Sequence, residues 1–176
     1  MDGAPIVLVM GVSGSGKTTV GALLAGQLSW TYAEADDFHP PANVAKMAAG
    51  HPLTDEDRWP WLAAIGTWID ERRARGEAGV VTCSALKRSY RDFLRDGRPE
   101  TRVVYLHGSR DLISSRLVAR HGHFFKAELL DTQFADLEEP APDEDVLVVS
   151  VDGTPPEVVE QIITGLGLSA TDSSLP

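Results

Sequence analysis

Cysteine, basic side chains and long apolar runs are all scarce in this sequence. Cys83 is the single cysteine among the 176 residues, so no disulfide can form within the chain. No apolar run approaches the roughly 20 residues that a membrane-spanning helix needs, and no secretory signal pattern is present. We therefore expect a cytoplasmic protein without a membrane partner.

Basic side chains are outnumbered by acidic ones, 16 to 26, which gives a net charge of −10. Nucleic acids bind basic surfaces, so we expect no nucleic-acid partner. A small anionic substrate is still allowed, because a distant net charge is screened beyond about 10 Å while local cations act at short range.

The length and the apolar content of 43% predict one domain over residues 1–168, followed by a disordered tail over 169–176.

Apolar runs that predict strands alternate along the chain with amphipathic stretches that predict helices. Strands are predicted at 5–10, 31–35, 79–85, 101–108 and 145–153. Helices are predicted at 17–28, 60–76, 86–97, 110–122, 126–140 and 154–167. This order predicts an α/β fold in which a five-stranded parallel sheet carries helices on both faces.

Two of these helices have apolar stripes that we expect to face the core. The first begins with Pro60, which suits a first helical turn, and ends at Gly76. Its inward residues are Trp61, Leu62, Ile65, Trp68 and Ile69. The inward residues predicted for the helix at 126–140 are Leu129, Leu130, Phe134 and Leu137.

The segment GVSGSGKT, from Gly11 to Thr18, has the G-x-x-x-x-G-K-[ST] spacing of a phosphate-binding loop, or P-loop. It lies between a predicted strand and a predicted helix, which is the context that such a loop requires. Lys17 supplies a cation to the outer phosphates, and Thr18 offers its hydroxyl to Mg²⁺. The residues of this segment predicted to bind the nucleotide are Gly11, Val12, Ser13, Gly14, Ser15, Gly16, Lys17, Thr18 and Thr19.

P-loops occur in several classes of protein, and two classes are disfavoured here. GTPases carry a base-reading N-K-x-D motif, which this chain lacks. Motor and transport ATPases carry a strand that ends in aspartate, whereas the strand GVVTCSA ends with Cys83 and Ser84. A small kinase remains.

Asp36 and Asp37 follow a strand that we expect beside the first. Open α/β sheets bind ligands at that edge, so one of the two aspartates can accept a hydroxyl proton.

Five segments together closely resemble the gluconokinase family. They are GVSGSGKTT, ADDFHPPANVAKMAAGHPLTDEDRWPWL, CSALKRSYRDFLR, RLVARHGHFF and TQFADLEEP. The resemblance covers residues 5 to about 165, and its second segment is highly specific. It implies a nucleoside-monophosphate-kinase-like P-loop fold and an enzyme that uses ATP and Mg²⁺ to phosphorylate D-gluconate on its 6-hydroxyl. It also implies a homodimer.

The resemblance gives roles to individual residues. Asp36 matches the second aspartate of the family's D-G-D motif and is the candidate base, while Glu34 and Ala35 stand at the first two positions. The catalytic residues implied are Lys17, Asp36 and Arg120. A lid is implied over about 116–136, in which Arg116 and Arg120 contact the nucleotide and Gly122 serves as a hinge.

An acceptor-binding lobe is implied over about 36–76. Its first candidate for the substrate carboxylate is Arg58, because a guanidinium binds a carboxylate through two parallel hydrogen bonds. The substrate-binding residues implied are Asp36, His39, Lys46, Arg58, Lys87, Arg91 and His123.

Two other functions stay open at this point. The first is a P-loop kinase for another small hydroxy acid, such as shikimate. The second is a nucleotide-binding regulatory protein that has lost catalysis, against which Lys17, Thr18, Asp36 and Arg120 argue. The pair His121 and His123 does not predict a metal site, because no third or fourth ligand accompanies it.

Overall fold

The computed structural model describes residues 4–122 and 127–169, and its centre is a parallel sheet of five strands. The strands are β1 (Ile6–Met10), β2 (Thr31–Glu34), β3 (Gly79–Thr82), β4 (Thr101–His107) and β5 (Leu147–Ser150). Their order across the sheet is β2-β3-β1-β4-β5. The predicted α/β fold with a five-stranded parallel sheet is therefore confirmed.

One prediction about strand order is wrong: β2 does not lie beside β1, because β3 separates them. Burial gives the physical reason. All four residues of β3 are buried, whereas β2 has one exposed and three half-buried residues. The apolar strand takes the central position and the mixed strand forms the edge. Asp36 nevertheless follows the carboxyl end of β2, at the ligand-binding edge of the sheet.

Helices cover both faces of the sheet, as predicted. They are α1 (Lys17–Leu28), α2 (Pro41–Ala48), α3 (Asp55–Ala74), α4 (Arg88–Arg95), α5 (Arg110–His121), α6 (Ala127–Asp136) and α7 (Pro155–Leu166). Alternate side chains of β1 serve opposite faces: Val7 and Val9 pack with α1 and α7, while Ile6, Leu8 and Met10 pack with α3 and α4. None of the described helices combines the length and the apolar content that a bilayer crossing requires.

Helix α3 begins five residues earlier than predicted, so the placement of Pro60 in its first turn is wrong. Thr54 accepts a hydrogen bond from the backbone N–H of Asp57, and the Asp57 carboxylate accepts one from the N–H of Thr54. This capping box starts the helix at Asp55. Pro60 lies inside it, where it removes one backbone hydrogen bond. The inward stripe is confirmed, since its members are buried or packed against the core: Trp61, Leu62, Ile65, Trp68 and Ile69.

Helix α6 ends at Asp136, earlier than predicted, and the inward position predicted for Leu129 is wrong. Leu129 is 60% exposed, whereas Leu130 is buried and Phe134 and Leu137 pack with it. Residues three or four apart share one helix face, and Leu129 lies one residue, about 100°, away from that face.

Candidate active site

The predicted P-loop joins β1 to α1 and has a strongly curved backbone. Gly14 and Gly16 adopt left-handed φ values of 82° and 95°, which L side chains rarely tolerate. A Cβ atom on Gly14 would also lie 2.6 Å from Leu117 of α5. The Nζ of Lys17 donates to the carbonyl oxygens of Gly11 at 2.9 Å and Val12 at 3.0 Å. These two bonds hold the ammonium group against the loop.

The first turn of α1 offers N–H groups that suit a phosphate. Gly16 is the N-cap, and in the described part of the chain no side chain caps this turn. The hydroxyl of Ser15 is buried and finds no hydrogen-bond partner within residues 4–122 and 127–169. Uncapped N–H groups at a helix start carry the positive end of the helix dipole, so this loop fits a polyphosphate.

Burial changes the acidity of two side chains beside the loop. It lowers the pKa of Lys17 to about 8, against the smaller opposing effects of Cys83 and Asp36. It raises the pKa of the Cys83 thiol to about 12, so this thiol stays protonated and unreactive at neutral pH. The charge of Lys17 is therefore sensitive to mildly alkaline pH, in a way that an exposed lysine is not.

A cavity of about 450 Å³, which we call the phosphate cavity, brings together most of the residues predicted to act on phosphate. Lys17, Thr18, Asp36, Arg116 and Arg120 all line it. Asp36 comes from the 3₁₀ turn after β2, and the two arginines come from α5. Other predicted residues of the P-loop that line it are Ser13, Gly14, Gly16 and Thr19. The fold thus surrounds one space with two carboxylates, Asp36 and Glu34, and with the three cations of Lys17, Arg116 and Arg120.

An adjacent cavity of about 660 Å³ also begins at the P-loop. Ser15, Arg116 and the Thr154–Pro155 start of α7 are among its lining residues. Arg116 lines this space as well as the phosphate cavity. Both spaces are also lined by Gly14, Gly16 and Thr19, so they adjoin each other at the P-loop.

A further cavity of about 500 Å³, which we call the acceptor cavity, lies on the side of the predicted acceptor-binding lobe. His39, Arg58, Lys87 and Tyr90 are among its lining residues. Four residues line both this cavity and the phosphate cavity, and we call them the boundary residues. They are Asp36, Trp61, Ser84 and Gln133.

Asp55 organises the charged side of the acceptor cavity. The hydroxyl of Tyr90 donates to the Asp55 carboxylate, and Lys87 Nζ donates to its two oxygens at 3.0 and 3.2 Å. Arg58 Nη1 donates to the Tyr90 hydroxyl at 3.2 Å. The bonds from Tyr90 and then Lys87 lower the pKa of Asp55, and Asp55 in turn raises the pKa of Lys87. Both cations are thereby held in fixed positions at this cavity.

His39 gives the acceptor cavity a neutral polar surface. Its ring stacks on Trp61, with ring centroids 4.5 Å apart and ring planes 9° apart. Burial lowers the pKa of His39, an effect that Arg58 reinforces and Asp36 opposes. The ring is therefore largely neutral at pH 7, with one nitrogen as donor and the other as acceptor. Such a ring suits the hydroxyl groups of a ligand.

Arg91 does not face the acceptor cavity, so its predicted role as a substrate ligand is wrong. It is 1% exposed, and its Nε donates to Glu144 Oε1 at 2.7 Å. Its other N–H groups donate to the second oxygen of Glu144 and to the carbonyl oxygens of Ala85, Leu86 and Glu138. All five donors are used inside the protein, where they fix the loop that follows β3.

Lys46 does not line the acceptor cavity, and its predicted role as a substrate ligand stays a prediction. Its Nζ lies 2.5 Å from Asp57 Oδ2, and this hydrogen bond is the main cause that lowers the pKa of Asp57 to about 2. Lys46 therefore joins α2 to the start of α3. His123, the remaining predicted ligand, lies outside the described residues, so its role stays a prediction.

Comparisons with known proteins agree with this geometry. The protein family described as "AAA domain" matches residues 6–140. A gluconokinase of Gluconobacter oxydans (strain 621H) is 49% identical over 157 residues, which cover 89% of this chain and 88% of that protein. The thermoresistant gluconokinase of Escherichia coli (strain K12) is 49% identical over 148 residues, covering 84% and 85%. The chain belongs to the gluconokinase family.

The gluconokinase likeness extends to a solved structure. A gluconokinase from Sinorhizobium meliloti 1021 superposes with a TM-score of 0.83 at 46% identity, covering 95% of this chain and 94% of that one. The P-loop kinase fold is therefore shared over nearly the whole length.

Glu34 is one of two residues, with Ala35, that differ from the D-G-D motif implied by the resemblance to gluconokinases. The Tyr32 hydroxyl donates to Glu34 Oε1 at 2.8 Å and to the Thr18 carbonyl oxygen at 3.4 Å. Glu34 also lines the phosphate cavity. The longer carboxylate is thus held by Tyr32 close to Thr18, the residue predicted to serve Mg²⁺.

Tyr90 and Gln133 are among the site residues that were not predicted, although both lie in segments that carry the gluconokinase resemblance. Tyr90 follows Lys87 by three residues, a spacing that brings both side chains to one side at the start of α4. Gln133 lies in the segment TQFADLEEP. The helical spacing could have identified Tyr90, whereas only the packing of α6 against the P-loop identifies Gln133.

Proposed function

We propose that this protein, a P-loop kinase of the gluconokinase family, transfers the γ-phosphoryl group of ATP to the 6-hydroxyl of D-gluconate, forming 6-phospho-D-gluconate. One observation supports the proposal most strongly: the phosphate and acceptor cavities meet at Asp36, while Arg58 and Lys87 line only the acceptor cavity. This distribution suits an acceptor that has its reacting hydroxyl at one end and its negative charge at the other. Gluconate is such a molecule.

The chain has the groups that ATP and Mg²⁺ require. The uncapped start of α1 and the cation of Lys17 suit the phosphates, and the space beside Arg116 and Thr154 suits the nucleoside. Thr18 would hold Mg²⁺ through its hydroxyl, with the Glu34 carboxylate nearby. When bound, that ion neutralises charge on the outer phosphates.

Asp36 is the group that accepts the proton in this proposal. The 6-hydroxyl oxygen forms a bond to the γ-phosphorus, the bond from that phosphorus to the bridging oxygen breaks, and its electron pair leaves with ADP. The hydroxyl proton passes to the Asp36 carboxylate. Lys17 and Arg120 line the phosphate cavity and stabilise the charge that the transferring group carries.

The acceptor cavity suits a small acid that carries hydroxyl groups. Arg58 and Lys87 provide the charge that a carboxylate needs, and neutral His39 provides hydroxyl contacts without attracting a second anion. The names of the relatives that are 49% identical support gluconate over shikimate as this acid. We also propose a homodimer, on the family resemblance alone.

Release of ADP in the presence of ATP and Mg²⁺, with gluconate, shikimate or a nucleoside as acceptor, tests the proposed activity. We expect turnover with gluconate and background rates with the other two. Rapid turnover with shikimate and none with gluconate would assign a different acceptor. Nucleotide binding without turnover on any acceptor would support the inactive regulatory protein instead.

A further inference from the structure

Gln133 connects α6 directly to the P-loop. Its side-chain carbonyl oxygen accepts the backbone N–H of Ser13 at 2.6 Å, and its Nε2 donates to the Ser13 hydroxyl at 2.9 Å. The two residues are 120 positions apart in the sequence. Two bonds from one carboxamide to one residue fix the orientation of that carboxamide relative to the phosphate cradle.

Gln133 lies where the two cavities of the cleft meet. It is a boundary residue, lining the phosphate cavity and the acceptor cavity together with Asp36. Asp36 reaches the boundary from the turn after β2, whereas Gln133 reaches it from α6. A phosphoryl group transferred where the two cavities meet would therefore lie in a space that both of these elements line.

One N–H group of the Gln133 carboxamide is available to a ligand. A side-chain amide nitrogen carries two N–H groups, and only the Ser13 hydroxyl accepts from Gln133 Nε2 within residues 4–122 and 127–169. Gln133 is half-buried and lines both cavities, so a ligand at their boundary lies within reach of this carboxamide.

We propose that Gln133 is a further catalytic residue, whose carboxamide donates a hydrogen bond to the phosphoryl group during its transfer. The proposal rests on the proposed kinase activity but not on the identity of the acceptor. Phosphoryl transfer places negative charge on the three outer oxygens of the transferring group, and fixed donors stabilise that charge. A neutral amide suits the boundary, because a cation there would pair with Asp36 and an anion would repel the phosphates.

The variants Gln133→Leu and Gln133→Glu test this role, because both keep the approximate shape of the side chain. Loss of one fixed donor to a developing oxyanion costs on the order of 10²–10³-fold in kcat, and we expect about 10²-fold for leucine because other donors remain. Glutamate should be worse than leucine, since it adds a negative charge beside the phosphates. The affinity for ADP, which lacks the transferred group, should stay within about twofold, a range small beside that loss.

Asp131→Asn is the matched control, because it removes the exposed ion pair between α6 and Arg110 of α5 without touching either cavity. It should leave kcat near the wild-type value. If Gln133 only fastened α6 to the P-loop, leucine, which loses both bonds to Ser13, would be more harmful than glutamate, which still accepts the Ser13 N–H, and the loss would appear as weaker ADP binding and a lower melting temperature. Either that pattern or a kcat within twofold of wild type for leucine would overturn the proposal.

A second readout makes the result independent of the acceptor. Binding of ADP and of a non-hydrolysable ATP analogue is compared by calorimetry for the wild type and Gln133→Leu. We expect the substitution to weaken binding of the analogue more than binding of ADP. Equal losses would contradict the role of Gln133, whereas failure of gluconate as acceptor would contradict only the proposed function.

Discussion

At the scale of single residues, Asp36 is the side chain on which the proposed chemistry depends most. It is the only carboxylate among the four boundary residues. Asp36→Asn keeps the shape and removes the charge, so we expect kcat to fall toward the lower end of the about 10²–10⁴-fold range of general-base effects. The low end is expected because the proton leaves late in a loose transition state. We expect the affinity for ADP and the melting temperature to stay unchanged in this variant. A kcat within about twofold of wild type would show that another residue accepts the proton.

We expect nucleotide binding to depend on pH through the charge of Lys17. Because its pKa is lowered to about 8, it is charged below that pH and increasingly neutral above it. The phosphates bind the charged form of Lys17, so above pH 8 the lysine must take up a proton when the nucleotide binds. Affinity for ADP should therefore fall as pH rises above about 8, by at most about tenfold per pH unit for one proton. Calorimetry from neutral pH to about pH 9 measures the affinity for ADP, and melting curves verify that the protein stays folded over this range. An affinity that does not change with pH would contradict the expected role of Lys17.

Arg58 is expected to orient the acid end of the substrate. Arg58→Lys keeps the charge but loses the planar pair of donors and the fixed bond to Tyr90, which is 3.2 Å long. Misplacement of a substrate by about 1 Å can cost on the order of 10²-fold, so we expect a higher KM for gluconate and a lower kcat.

The exposed Arg75, at the other end of α3, offers the matched control. Arg75→Lys should leave the kinetics unchanged. If Arg58→Lys lowers the melting temperature while gluconate kinetics are intact, Arg58 is only a structural partner of Asp55 and the carboxylate role is wrong.

At the scale of elements, the buried pair Arg91–Glu144 ties α4 to the 3₁₀ turn Pro142–Glu144 and to the loop after β3. Arg91→Met leaves Glu144 without its partner, and breaking one side of a buried pair costs about 3–5 kcal/mol. Urea unfolding measures the loss. Arg88 lies on the same helix as Arg91 and forms an exposed ion pair with Asp143. Because exposed pairs contribute little, Arg88→Met should change the free energy of unfolding only slightly. Similar losses for the two variants would contradict the structural importance of the buried pair.

Elements with a strong local signal could be predicted from sequence, and those set by tertiary contacts could not. The five strands and the helix after the P-loop follow from apolar periodicity. The start of α3 was missed because Pro60 suggested a first turn, while the reciprocal bonds of Thr54 and Asp57 start the helix earlier. Helix α2 was missed because its stability depends on contacts such as Lys46 with Asp57.

The candidate site shows the same division. Lys17, Thr18 and Asp36 could be placed together, because a local motif and the carboxyl edge of a parallel sheet determine where they lie. The roles of Arg58 and Arg91 could not be separated, since nothing in the local sequence shows that Glu144 lies beside Arg91 in the fold. Only the structure distinguishes an arginine that lines a cavity from one whose donors are all used inside the protein.

At the scale of the whole molecule, the connection between β2 and β3 builds the acceptor side of the cleft. This connection contains α2 and α3, and it contributes His39 and Arg58 to the acceptor cavity. The P-loop after β1 and the arginines of α5 build the phosphate side. The two sides meet at the carboxyl edge of the sheet, where Asp36 belongs to both cavities. The fold thus places the phosphate cavity and the acceptor cavity next to each other.

The most direct test of the proposed activity is phosphorus NMR of the product formed from ATP, Mg²⁺ and D-gluconate. The 6-hydroxyl is the only primary hydroxyl of gluconate, so its phosphate ester should show coupling to two equivalent or nearly equivalent methylene protons. We predict that signal, identical to that of authentic 6-phospho-D-gluconate and absent for the Lys17→Ala variant, which loses the cation of the cradle. A product coupled to a single proton, or release of inorganic phosphate alone, would contradict transfer to the 6-hydroxyl.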